Sequence, residues 1–306
     1  MRRRWMWTIG LAASTPFSVL LIDRVCFQGS GFPPPHQRVP GLFAPARPVM
    51  PGTTAVLVNP GLGPAKNHPR YWNNTSLVFR ALEARGFERL IVLQSDGLSP
   101  EPDRQARSFL GMFGTGTLVD SPIDIDADGG DEVSGPGTIA ALGRALRDVG
   151  RSLPRGGRLL LFLTGHGQLR LGGGFHSVAM MWDGGEMRGS DLDRMLRAAL
   201  PDDCWVAIVA TQCHSKPFLD EVTRPRTLLV ASGWPLWIWS TQDYGVFPYH
   251  LAGALLGRDP ATGHLLPEGA AANLRAAVEA ASSRDHAPEW PHVRVIGDAA
   301  SVPSPF

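Results

Sequence analysis

Lysine is almost missing from this chain: of 29 basic residues only Lys66 and Lys216 are lysines, and 28 acidic residues bring the net charge to +1. So balanced a chain has no bulk charge for a polyanion, which excludes nucleic-acid binding driven by net charge. Cysteine is scarce too. Cys26, Cys204 and Cys213 are too few for a disulfide-built scaffold and odd in number, so at least one thiol is free. No G-x-S-x-G turn occurs, which excludes the nucleophile turn of serine hydrolases. His166, His176, His214 and Cys213 lack the compact spacing of zinc ligands. The stretch GPGTIA at 135–140 mimics a dinucleotide fingerprint but follows an acidic loop rather than a strand. Asp124, Asp126, Asp128 and Gly129 imitate the start of a calcium loop, yet the twelfth position is Gly135 where a bidentate Glu belongs. These three acids read as a solvated loop, and neither a metal nor an organic cofactor is expected.

What is present is an ordinary globular composition: 306 residues, 43% apolar and 19% charged. Arg2, Arg3 and Arg4 precede an apolar run over residues 5–22. At 1.5 Å per residue this run would reach about 27 Å, marginally a bilayer span. A basic start followed by an apolar stretch is the pattern of an export signal or a signal anchor. Residues 1–28 are therefore expected to be a signal or anchor helix, with residues 5–22 a means of membrane attachment and the rest outside the cytoplasm. Residues 29–52, with Pro33, Pro34 and Pro35, read as a linker. A single folded domain is expected over 53–300, and a tail over 301–306.

Within that domain, short apolar runs alternate with helical patterns. Residues 54–58, 90–93, 158–164, 205–210 and 227–231 read as buried strands, 177–182 as a shorter arm, and 292–296 as a last strand. Helical spacing recurs after Thr75, over 139–149, after Ser190, and over 248–256 and 268–281, with Thr75 and Ser190 as expected caps. Strands apolar on both faces, separated by helices, predict an α/β fold: a mostly parallel sheet of about six strands with helices on both faces. Ligands of such sheets bind at the C-terminal strand edge.

Two of the best strands end in reactive residues. Thr164-Gly165-His166-Gly167 follows one, and Thr211-Gln212-Cys213-His214-Ser215 follows the other. Parallel neighbours would bring Cys213 and His166 to one edge, as thiolate nucleophile and acid/base partner. The amides of Gly167 and Cys213 would then face an oxyanion. Cys204, before a strand, reads as a small buried hydrophobe. Trp234, Trp237 and Trp239 read as an apolar wall beside the cleft, a membrane-docking surface or packing under a loop.

The pair LLLFLTGHG and VAIVATQCHS resembles the His and Cys motifs of the caspase–legumain clan of cysteine peptidases, and of the legumain family in particular. NHPRYWNNTSLVF is similar to that family's early Arg-containing motif, with Asn four and an aromatic nine residues after the Arg. QDYGVF resembles its post-catalytic Asp-aromatic segment, and HVRVIGD its closing strand and turn. The resemblance runs from about Thr53 to Asp298. It implies a caspase-like fold and a cysteine endopeptidase that uses Cys213, His166 and the Gly167 amide, and that cleaves a peptide or protein after Asn or Asp. It also implies a pocket for the residue before the cleaved bond lined by Arg70, Asp243 and, more loosely, Ser240. An Arg beside an Asp suits an amide, which offers an acceptor and a donor at once.

The chain departs from the family pattern in places. Thr211 stands where an acidic residue is usual, Gln212 replaces a small residue, and His214-Ser215 replaces Glu-Ser. His68 occupies the position of the Asn that orients the histidine, with Asn67 one residue earlier as a substitute. The same site could serve a transpeptidase, with an amine replacing water. The changes around Cys213 also leave room for a non-catalytic binding scaffold.

Overall fold

The computed structural model describes residues 48–106, 117–126, 128–170, 176–233, 240, 244–260, 263–284 and 291–297. Residues 1–47, with their expected signal or anchor, lie outside these. So do Trp234, Trp237, Trp239, Asp243 and the tail. Among the described residues no helix is long and apolar enough to cross a membrane.

The strands are β1 (Met50–Asn59), β2 (Phe87–Gln94), β3 (Arg104–Gln105), β4 (Leu118–Val119), β5 (Val133–Gly135), β6 (Arg158–Leu163), β7 (Gly167–Arg170), β8 (His176–Met180), β9 (Glu186–Arg188), β10 (Trp205–Ala210), β11 (Thr227–Ala231) and β12 (His292–Ile296). Seven of them form one sheet in the order β12-β11-β10-β6-β1-β2-β5, parallel throughout except for β12. The count is seven rather than about six because the polar stretch before residue 136 supplies β5, three residues that add to the β2 edge. With helices on both faces, this is the expected α/β architecture, and it is consistent with a caspase-like fold.

Side-chain alternation builds the two layers. Ala55, Leu57, Leu160, Phe162, Ala207, Val209, Leu228 and Val230 face one core, against α1 (Pro69–Ala84), α5 (Val246–Leu256) and α6 (Leu274–Arg284). Val56, Val58, Leu159, Leu161, Leu163, Val206, Ile208 and Leu229 face the other, against α2 (Ile139–Ser152), α3 (Gly189–Ala199) and α4 (Ser215–Asp220). Each fully buried Val or Leu contributes about 1.5–3 kcal/mol, and β1 is 0% exposed from Ala55 to Val58.

Several boundaries differ from the sequence expectation. β1 begins at Met50, inside the expected linker, and its Met50 amide bonds the Gly86 carbonyl at 2.7 Å. Thr75 is not a cap: Pro69 opens the helix six residues earlier, its fixed φ suiting the first helical position, and the Thr75 hydroxyl bonds back to the Tyr71 carbonyl. Ser190 is not a cap either. Arg188 occupies that place, its amide donating to the Asp191 carboxylate at 3.1 Å, while the Ser190 amide donates to Glu221 at 3.0 Å. Gly189, whose added Cβ would lie 1.8 Å from the Phe218 carbonyl oxygen, lets α3 start against α4.

β1 and β6 are neighbours whose onward connections run in opposite directions across the sheet. Such a switch point opens a crevice at the C-terminal strand ends. The loop after β1, the end of β6 and the end of adjacent β10 all meet there.

Candidate functional site

His166 leaves the end of β6 through Gly165, whose φ of +144 is one that side-chain-bearing residues rarely adopt; a Cβ there would also press on the Pro60 ring at 3.3 Å. Cys213 follows the end of β10 after Thr211 and Gln212. The residue behind it, His214, takes the left-handed conformation at φ 57 before α4 begins. For a non-glycine this costs about 1–2 kcal/mol, and it turns the chain sharply at the cysteine.

The two segments touch. A Cβ on Gly167 would lie 2.0 Å from the Cys213 carbonyl oxygen and 2.8 Å from Gln212 Cγ, so only glycine permits the approach. Sequence spacing puts His166 and Cys213 at one edge; this contact joins their loops. Cys213 is half-buried and in no disulfide among the described residues, whereas Cys204 is wholly buried and accepts from Arg224 Nη2 at 3.3 Å, as expected of a core cysteine.

His166 is held from the α1 side. Its Nε2 lies 2.8 Å from the Lys66 carbonyl oxygen, which can only accept, so Nε2 carries the proton and Nδ1 is the unprotonated nitrogen of the neutral ring. Asn67 does not orient it. That side chain is fully buried and donates to Ser95 Oγ at 2.8 Å and to the Asp103 carbonyl at 2.9 Å, facing away from the histidine. His68 and Tyr71 pack around His166, their ring centroids 5.6 and 5.1 Å from its own. Burial lowers the His166 pKa; the Lys66 carbonyl bond opposes this, and the charges of Arg70 and Lys66 add to it. His68 is lowered to about 3, chiefly by burial, then by Arg70 and His166.

Arg70, in the first turn of α1, is 8% exposed. Its guanidinium lies over the Tyr71 ring, 5.0 Å from the centroid, and Nη2 is 3.4 Å from the phenol oxygen. Its Nε has no hydrogen-bond partner, and among the described residues no carboxylate pairs with it. Ser240 forms an isolated bridge with Gly245. One turn along α1 from Arg70, Asn74 accepts from the Gly245 amide at 2.9 Å and donates to Thr164 Oγ1 at 3.1 Å. Asn74 thus ties the Ser240 loop to the strand end that carries His166. Asp243 lies outside the described residues, so its meeting with Arg70 is not described. Thr211 is buried with its hydroxyl on the Leu163 carbonyl at 3.0 Å. Gln212 is buried with both amide atoms unpartnered.

Sequence reasoning missed Tyr71, the Lys66 carbonyl and the role of Asn74. Of these only Asn74 had a signal, its place four residues after Arg70. The acidic loop also closes more tightly than expected: Asp124, Asp126, Asp128 and Glu132 each bring one oxygen within 4.8 Å of the others. Backbone amides of Gly129, Asp128, Gly130 and Ile125 already bond these carboxylates. Burial, with smaller repulsions from within the group, raises the Asp126 and Glu132 carboxyls.

No family model matches the chain, and no curated protein matches it. Among solved structures it is similar to protein GSU0716 from Geobacter sulfurreducens, with TM-score 0.51, 13% identity, and coverage of 81% of this chain and 96% of that one. At that identity the likeness is one of fold alone.

Proposed function

We propose that the chain is a cysteine endopeptidase of legumain type. His166 Nδ1 takes the thiol proton of Cys213 as the resulting thiolate attacks a peptide carbonyl, forming a C–S bond and a tetrahedral oxyanion held by the Gly167 and Cys213 amides. Collapse breaks the C–N bond, and the departing amine takes its proton from His166 Nδ1. Water then hydrolyses the thioester and regenerates the thiol. The observation that carries this reading is the contact of Gly167 with the Cys213 carbonyl, which joins a nucleophile's loop to a histidine's loop at the sheet's switch point. Ladder alternation supports the oxyanion role. Met180 donates to the His166 carbonyl at 3.0 Å, so the next pair, Gly167 with Ala179, is non-bonded and turns the Gly167 N–H away from β8. A cation tuned below its usual pKa is a stronger acid, which suits His166 to protonating an amine.

Arg70 supports a pocket for Asn or Asp. A buried guanidinium without a described carboxylate partner is costly to keep, and a substrate side-chain carbonyl or carboxylate would satisfy it. Transfer to an amine in place of water uses the same residues. The test is covalent labelling. Iodoacetamide near neutral pH should modify Cys213 faster than Cys204, and His166→Ala should slow Cys213 to the rate of an ordinary thiol. A Cys213 that is equally slow with His166 present would point instead to a binding scaffold.

A further inference from the structure

We infer that Gln105 is a positioning residue of this centre: it fastens the turn on either side of Lys66 and so aims the Lys66 carbonyl that holds His166. The inference rests on the reading of Cys213 and His166 as a chemical pair and deepens it by one residue.

The acceptor on His166 is a main-chain oxygen, 2.8 Å from Nε2. A backbone carbonyl has no rotamer of its own; its direction follows the peptide plane, and so the turn that carries it. That turn is the single 3-10 turn Pro64–Lys66, whose Lys66 and following Asn67 amides both bond the Gly63 carbonyl at 2.9 Å. Hydrogen bonds of a 3-10 turn have poor geometry, so its far end needs holding from outside.

Gln105, the last residue of β3, does this. Its backbone amide donates to the Asn67 carbonyl at 2.9 Å, and its side-chain Nε2 donates to the Ala65 carbonyl. The carbonyls before and after Lys66 are thus both drawn to Gln105, while the one between them serves His166. The orientation of the Gln105 amide follows from its partners. A carbonyl only accepts, so the nitrogen end faces Ala65, and Oε1 is left for His68 Nδ1 at 3.2 Å. Gln105 thereby also fixes the His68 ring, whose centroid lies 5.6 Å from that of His166. β3 is itself anchored. The Asp103 and Ala106 amides donate to the Val119 and Thr117 carbonyls at 3.1 and 2.7 Å, and the Asp103 carbonyl accepts from the buried Asn67 side chain at 2.9 Å. Turn and strand are locked together along 65–68 and 103–105.

The consequence is a choice of tautomer. Which ring nitrogen carries the proton is set by the bond the other atoms of the site offer it. With Nε2–H on the Lys66 carbonyl, the lone pair sits on Nδ1, the nitrogen that takes the thiol proton and returns it to the amine. A ring released from that carbonyl also populates the other tautomer, whose Nδ1 already carries hydrogen and cannot accept.

The test is Gln105→Met in the full chain, which keeps the side chain's length and removes its two hydrogen bonds. Nitrogen-15 NMR of the imidazoles near neutral pH, with His166 identified by its loss in His166→Gln, reads which nitrogen holds the proton. The unmutated chain should show His166 as Nε2–H alone, and the variant a mixture of tautomers. A proton on Nδ1 in the unmutated chain overturns the inference without any variant, and so does a single Nε2–H form in Gln105→Met. Should that variant not fold, Gln105→Glu can accept from His68 but cannot donate to Ala65, and the same mixture is expected; a single Nε2–H form overturns the inference equally. Alkylation of Cys213 by iodoacetamide should slow about three- to tenfold in Gln105→Met, on the scale of one hydrogen bond. In a His166→Ala background the same substitution should change nothing, because it acts through His166. A merely structural role would slow alkylation in both backgrounds, and that result overturns the inference. Alkylation that never depends on His166 would count against the peptidase reading, while the tautomer would still decide whether Gln105 orients the ring.

Discussion

At the residue scale, the side chains around His166 have their charges set by one another, and the consequence reaches stability. His68 ordinarily titrates at 6.5 but at about 3 in the fold, because burial and the charge of Arg70 disfavour its cation. Between those values the unfolded chain binds the proton and the folded one does not. The stabilisation is fully present above pH 6.5 and is lost as pH falls toward 3, at about 1.4 kcal/mol per pH unit. Asp96, raised to about 6 by burial and by Asp103 and Asp120, acts in the opposite sense. A comparison with His68→Gln isolates the histidine. Urea unfolding at pH 6.5 and 4.5 should show the parent losing about 2 kcal/mol more than the variant, and equal losses would mean that His68 charges freely in the fold. Little of this residue-level arrangement was legible. Letters identify Cys213 and His166 by their places after apolar strands, but the acceptor that orients His166 is a backbone carbonyl, which every residue possesses. Tyr71 stands within a motif without a role, since its place beside His166 depends on how the start of α1 meets the end of β6.

At the element scale, strands were readable because burial on both faces leaves an unbroken apolar run, as in residues 205–210. Helix starts were not. Thr75 and Ser190 have the chemistry of caps, but Pro69 and the Arg188–Asp191 pair begin their helices earlier. β5 was hidden because three residues on a sheet edge carry no periodicity. The small β7–β8–β9 sheet hangs from the end of β6, and its first residue, Gly167, sets how closely it approaches Cys213. Gly167→Ala should fold, since β7 is a peripheral strand that can shift. The shift would carry the Gly167 amide away from the proposed oxyanion position, so peptide cleavage should fall about hundredfold or more. Near-parental kcat/KM in that variant would remove Gly167 from the site.

At the scale of the whole molecule, the order of apolar strands and helices was enough to give a mostly parallel sheet, with the candidate site at its C-terminal edge. The order of strands in space was not readable, because pairings such as β6 between β1 and β10 join segments about fifty residues or more apart. That order makes the switch point and draws the loop after β1, carrying Lys66 and His68, and the first turn of α1, carrying Arg70, onto His166. The proposed peptidase chemistry would sit where these loops meet. Cleavage of a peptide library by the full chain, with Cys213→Ala alongside, tests the claim most directly. The account predicts cuts after Asn or Asp that vanish in the Cys213→Ala variant. Cuts that persist without the thiol would contradict it.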